Sequence, residues 1–358
     1  MNATVLSRRQ LNRTFLQRQQ LLRRRPGTAA ELIERLVGLQ AQAPLAPYVA
    51  LWSRLENFDP GELSDLMTSR RAVRATLLRA TIHLVTADDC LRLWRLVHPV
   101  ADRGFRGAFG KQLAGADVDA IVAYGSELLS RAPYTRAALR NELGERWPDW
   151  DANAMAYAVS YLLGTVQVTP RGVWGKTGQA ALQTIESWLG RPPAQELSID
   201  NLVLRYLAAF GPASVADVQV WSGLTKLREV VDRLELRTYA DEDGRELYDV
   251  PDGTLTDAET PAPVRFLPEY DNLLLSHADR RRVNPLGRPV PLPPGNGAAI
   301  GTVLIDGDYR ADWRHHRGKS LQVTPHAPIT AAERAAVEAE AAALLGLIGT
   351  ADTPVVVS

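Results

Sequence analysis

At 358 residues the chain has room for two or three modules and a large core, and its one cysteine, Cys90, leaves no disulfide framework and no zinc spacing. The opening stretch MNATVLSRRQLNRTFLQRQQ is too polar for a signal peptide and no apolar run approaches the width of a bilayer, so a cytoplasmic protein with no membrane partner is expected. Basic and acidic residues balance at 41 each, which argues against a uniformly basic nucleic-acid coat. The charge is nevertheless patchy: Arg8, Arg9, Arg13, Arg18, Arg23, Arg24 and Arg25 fall in one stretch without an acid.

Residues 6–22 read as an amphipathic helix broken at Arg25-Pro26-Gly27. Thr28 with Glu31 three positions on forms a capping box for a helix over 28–40, whose Leu32, Leu36 and Leu39 recur at helical spacing. Pro44 biases Ala43 away from the α region, so this helix is expected to end near Gln40. Gln40 and Gln42 would then lie in an extended exit segment and point the same way. Two converging amides can position a water but cannot deprotonate it; equally, the pair reads as solvated side chains at a helix end. Helices over 46–56 and 60–69, then a hairpin within RAVRATLLRATIHLVTADDC, complete the order of a winged helix over 1–87.

Residues 88–131 read as helical, with Gly104, Gly107, Gly110 and Gly115 breaking the middle. Helices over 134–143 and 152–163 lead to GTVQVTPRGVWGK, in which Pro170-Arg171-Gly172 joins two strands, giving a second unit over 88–190. The third unit, 191–255, has a helix over 199–210, a short one from Ser214 to Trp221, a recognition-helix position from Leu224 to Leu234 and a hairpin turning at Asp243-Gly244. A β-rich portion over 256–358 follows, with a Pro/Gly-rich loop at 285–297, a hairpin turning at Asp306-Gly307 and a long helix capped by Thr330 and Glu333. The fold class is therefore α+β, mainly α, with tandem winged-helix modules and a β-rich C-terminal portion.

A winged helix usually reads duplex DNA, with its wing on the phosphates. The candidate DNA contacts are Arg8, Arg9 and Arg13 in the first helix, Arg79 and His83 in the first hairpin, and His277 and Arg280 in LLLSHADRRR. Arg310, Trp313, Arg314, His315 and His316 add a stretch where cations and aromatic rings interleave. Trp313 also suits the interior of its hairpin, His83 also suits a satisfied core position, and the acids of YADEDGRELYD oppose phosphate. No carboxylate or cysteine stands at metal-ligand spacing from His315 and His316, so neither metal nor cofactor is expected. No Walker loop, GxGxxG, GxSxG, HExxH or evident carboxylate pair competes for the chemistry.

Gln40-Ala41-Gln42-Ala43-Pro44, RATIHLVTADD, FLPEYDNLLLSHADR and GTVLIDGDYRADWR together resemble the AlkZ-like DNA glycosylases, a winged-helix superfamily that includes the YcaQ/AlkX type. The resemblance covers nearly the whole chain. It implies a C-shaped cradle of three winged helices around double-stranded DNA, Gln40 and Gln42 as the catalytic pair, and the C-terminal hairpin in the minor groove. It also implies a monofunctional glycosylase for N7- or N3-alkylated purines, bulky adducts and interstrand crosslinks included, with no obligate protein partner. A winged-helix DNA-binding protein or regulator without catalysis is the alternative, and a protein-interaction scaffold using the acidic third unit is a further one.

Overall fold

The computed structural model describes residues 4–192, 194–292, 300–350 and 352–358. Among them helix exceeds strand, 43% against 18%, and no barrel forms. The loop expected over 285–297 lies partly outside the described residues. Among those residues no helix is long and apolar enough to cross a membrane.

The first helix, Arg8–Arg18, starts where Ser7 Oγ accepts the N–H of Gln10 at 3.1 Å. The capping box expected at Thr28 and Glu31 opens the second, Ala29–Arg35. That helix ends earlier than Pro44 alone suggests. Leu36 caps it, Val37 (φ 56°) and Gly38 (φ 96°) turn the chain back, and Leu39–Gln40 becomes a strand. The reason is close packing: a Cβ at Gly38 would lie 2.6 Å from Val85 Cγ1 and 3.1 Å from the carbonyl oxygen of Leu84. Helices Ala46–Trp52 and Pro60–Thr68 and the expected hairpin, Ala72–Thr76 with Ile82–Thr86, follow.

Leu39–Gln40 pairs antiparallel with the outer strand of that hairpin, Leu39 opposite Leu84 and Gln40 opposite His83. On its other side the hairpin joins Thr165–Gln167, so strands of the first and second units form one six-stranded sheet. The helix Ala87–Phe109 runs through Pro99, Gly104 and Gly107 and stops at Gly110, a later break than expected. The strand that returns against Thr165–Gln167 is Ala181–Thr184, not the segment directly after Pro170-Arg171-Gly172. The intervening loop serves the first unit instead, with Trp174 packed on Tyr48 (centroids 4.8 Å apart) and Tyr48 Oη donating to the Gly172 carbonyl at 2.8 Å.

In the third unit Ile199–Phe210 and Val215–Ser222 match the expected helices, but the recognition-helix position shrinks to Arg228–Val231. Left-handed Gly223 and Lys226 interrupt the stretch. The hairpin Arg237–Asp241 with Glu246–Asp249 takes the N-terminal strand Thr4–Leu6 in parallel on its edge. Most of its acids are neutralised within the chain: Asp241 pairs with Arg245, Asp243 with Arg281, and Glu246 with Arg228. A five-stranded sheet carries the C-terminal portion, with Gly301–Ile305 and Asp308–His316 turning at Asp306-Gly307 as expected, and Ala331–Leu347 packed on it.

One hydrophobic core runs through the first and third units and reaches Leu273, Leu304 and Tyr309, whereas the second unit has its own around Phe105, Leu139 and Val159. A buried bidentate ion pair, Arg18 to Asp249 at 2.7 Å for both contacts, ties the first helix to the third hairpin. Gly38→Ala is expected to cost on the order of 2–3 kcal/mol, combining left-handed strain with overlap on Val85; urea melts that match those of the unaltered chain would contradict this packing.

Candidate active site

The glutamine segment is pinned at the residue between the two amides. Ala41 N–H donates to the Ile82 carbonyl at 2.8 Å, and Arg74 Nη2 donates to the Ala41 carbonyl at 2.7 Å. Ala41 is fully enclosed, and Gln40 is buried while Gln42 is exposed. Both amide oxygens meet the segment that joins the hairpin strands: Gln40 Oε1 accepts from Arg79 Nη2 at 2.6 Å, and Gln42 Oε1 accepts from the backbone N–H of Ile82 at 3.3 Å.

Arg79 is the centre of the polar cluster. Its backbone is left-handed (φ 55°), as is that of Ala80, and each such residue costs on the order of 1–2 kcal/mol. Its guanidinium also donates to the Trp221 carbonyl at 2.6 Å and to Asn272 Oδ1 at 3.0 Å, and Asn272 Nδ2 faces the Gly38 carbonyl at 3.4 Å. The cluster thus draws on the first unit, the end of Val215–Ser222 and the turn Asn272–Leu274. Asp271 fixes that turn by accepting two bonds from Arg54, at 3.0 and 2.8 Å, and one from Leu273 N–H at 2.9 Å.

The site carries positive charge without paired carboxylates. Burial and the nearby Arg280 lower Arg79 to about 10, and burial with the nearby Arg171 lowers Arg74 to about 10, so both remain cations at neutral pH. Among the described residues neither forms an ion pair, and two nitrogens of Arg74 are buried without partners. His83 is pushed down to about 3 by its enclosure and by Arg79. Its Nδ1 lies 3.0 Å from the Thr81 carbonyl and its Nε2 lies 3.5 Å from Arg79 Nη2, so the neutral ring carries its proton on Nδ1.

The family described as "DNA glycosylase AlkZ-like" matches residues 33–347. The chain belongs to the AlkZ-like DNA glycosylase family. It is accordingly a DNA glycosylase, of a family that serves DNA repair. Among solved structures the Streptomyces sahachiroi DNA glycosylase AlkZ is similar, with a TM-score of 0.75 at 19% identity over 99% of this chain and 100% of that one, so the described residues share the AlkZ-like fold. No curated protein sequence matches.

In this AlkZ-like glycosylase the expected DNA contacts separate into groups. Arg79 and Arg280 stand at the cluster, with Nε of Arg280 buried and unpartnered. Arg314 and His316 are exposed and His315 half-buried on the strand that leads to the turn at Arg317, Gly318 and Lys319. The first-helix arginines are engaged within the chain. Arg13 is enclosed against Asp306, Arg8 reaches Asp308 at 2.9 Å and Arg9 reaches Asp306 at 2.9 Å, so the Asp306-Gly307 turn is held against the body of the protein. His83 and His277 are wholly inside, His277 between Ser276 Oγ at 3.0 Å and the Phe210 carbonyl at 3.2 Å, and neither can touch a phosphate. Trp313 is likewise interior, its indole N–H donating to the Leu267 carbonyl at 2.8 Å, and Arg310 is paired with Glu333 at 2.6 Å.

Sequence reasoning missed Arg74 and Asn272. A charged residue between Val73 and Ala75 in an otherwise apolar strand was the available signal for Arg74; Asn272 lies within the quoted FLPEYDNLLLSHADR but bears no spacing that marks it. Among the described residues no three His, Cys, Asp or Glu side chains are grouped as a metal requires. The ring ¹⁵N shifts of His83 should be those of the neutral Nδ1–H tautomer and stay constant from about pH 8 to about pH 5; a titration centred near the ordinary histidine value would contradict its enclosure.

Proposed function

We propose that this enzyme is a monofunctional glycosylase that hydrolyses the N-glycosidic bond of N7- or N3-alkylated purines in double-stranded DNA, with Gln40 and Gln42 as the catalytic pair. The observation that carries the reading is the anchoring of Gln40 and Gln42 through Ala41, beside arginines that have no carboxylate partner among the described residues. An amide has no useful proton affinity, so a site built on two of them suits a base that is already cationic and leaves as a neutral molecule. As the C1′–N9 bond breaks, its electron pair goes to the base, the sugar becomes oxocarbenium-like, and a water oxygen bonds to C1′ with its proton lost to solvent. Fixed dipoles can hold that water and favour the developing charge.

The three helix-and-hairpin units, over 1–87, 88–190 and 191–255, are read as winged helices of a C-shaped cradle, with the β-rich portion 256–358 packed on the array. Arg280, whose charge lies near Arg79, is assigned to a phosphate beside the site. Arg314, His316, Arg317 and Lys319 make the basic face of the C-terminal hairpin, assigned here to the minor groove. Bulky adducts and interstrand crosslinks fit an open cradle better than a closed pocket that requires flipping.

Incubation with duplex carrying N7-methylguanine should leave alkali-labile abasic sites, and Gln42→Ala should slow this about 100-fold or more while duplex affinity changes by no more than a few-fold. Equal losses in both would recast Gln42 as a DNA-binding residue. With His83 neutral above about 3 and Arg79 charged below about 10, the single-turnover rate on a base that does not itself titrate should be flat from about pH 5 to about pH 9. A bell-shaped profile in that window would show that an acid or base acts alongside the amides.

A further inference from the structure

We infer that Arg79 is a positioning residue that divides the work of the two glutamines, leaving Gln40 as a hydrogen-bond donor and Gln42 as an acceptor. The inference rests on the proposed excision chemistry and extends it. A guanidinium has only donors, so the Gln40 atom 2.6 Å from Arg79 Nη2 must be the amide oxygen, and the orientation of that amide is fixed by chemistry. Arg79 is itself held from other elements, by the Trp221 carbonyl and Asn272 Oδ1. Asn272 is in turn oriented by its Nδ2 facing the Gly38 carbonyl.

With its oxygen held at 2.6 Å by a cation, Gln40 keeps a second lone pair whose electron density is drawn toward Arg79, so its stronger offer to a ligand is the Nε2 hydrogens. Gln42 is the complement. Its exposed side chain accepts one long bond, 3.3 Å from Ile82 N, and an amide oxygen has a second lone pair to give.

The reaction needs one group of each kind. A water attacking C1′ must aim a lone pair at the carbon and its hydrogens away from it. An acceptor holds it in that orientation, whereas a donor would occupy the attacking pair. The departing purine receives the electron pair of the broken bond, and its growing electron density is stabilised by donors. Gln42 therefore orients the water, and the N–H groups of Gln40, polarised by Arg79, meet the leaving base.

Gln40→Glu is the decisive variant in single-turnover excision of N7-methylguanine. The carboxylate keeps the contact with Arg79 as an ion pair but has no N–H, so excision should fall as far as in Gln40→Ala, about 100-fold or more, with thermal melting unchanged. Gln42→Glu, which keeps an acceptor, should lose far less than Gln42→Ala. Arg79→Met should lower excision while affinity for an uncleavable duplex stays within a few-fold, with partial recovery in Arg79→Lys. Selective ¹⁵N-glutamine labelling gives a readout that needs no turnover: the Gln40 side-chain amide resonance should move in Arg79→Met and return towards its position in Arg79→Lys. Full activity of Gln40→Glu, or an unmoved Gln40 resonance in Arg79→Met, would overturn the inference. An unaltered enzyme that leaves this duplex intact would contradict the proposed function alone, and the amide resonance would still decide the role of Arg79.

Discussion

The peptide unit of Ala41 is gripped from both sides, its N–H by the Ile82 carbonyl and its carbonyl by Arg74. In an extended segment held this way the flanking residues leave on the same face, so the clamp that fixes Ala41 also aims Gln40 and Gln42. Gly38 makes the clamp reachable. Its missing Cβ lets the chain turn sharply off the end of Ala29–Arg35 and lie against Ile82–Thr86, where Gln40 falls opposite His83. The site is therefore a consequence of strand pairing and not of a helix end.

The charges around the clamp work against stability. A buried guanidinium without a carboxylate carries a desolvation cost of several kcal/mol, which neutral acceptors offset only in part. Elsewhere the buried Arg18 pairs with Asp249 and Arg54 with Asp271, and most acids of the third hairpin are neutralised by arginines of the same chain. Arg74 and Arg79 form no ion pair among the described residues, and both touch the glutamine segment. Positive charge held beside the glutamine segment without a carboxylate favours an anionic ligand there. The left-handed backbone at Arg79 and Ala80 adds strain in the same place.

Much of this was legible in the sequence where the signal is local. The capping boxes at Thr28 and Thr330, the helix Ile199–Phe210, the hairpin around Arg79 and the turn at Asp306-Gly307 depend on neighbours a few residues away and stand as read. The features that were not legible are set by distant contacts. The second helix ends early because Gly38 must clear Val85, and the Pro170 loop stays open because Trp174 packs on Tyr48. Arg13 turns inward to Asp306, nearly 300 residues away along the chain, and Arg9 meets the same carboxylate at the surface. An arginine run records charge but not which way it faces. The glutamine pair itself was visible, while its partners Arg74, Arg79 and Asn272 are brought to it by the fold.

On the proposed mechanism, two amides without a titrating base serve a leaving group that needs no proton. The most direct test is single-turnover excision from one duplex sequence carrying either N7-methylguanine or uracil at the same position. Conversion of the N7-methylguanine strand to abasic sites, with uracil left intact over the same time, is the result expected. Uracil excision at a comparable rate would contradict it, because a neutral base held by a strong N-glycosidic bond requires acid or base assistance that this site does not contain among its described residues.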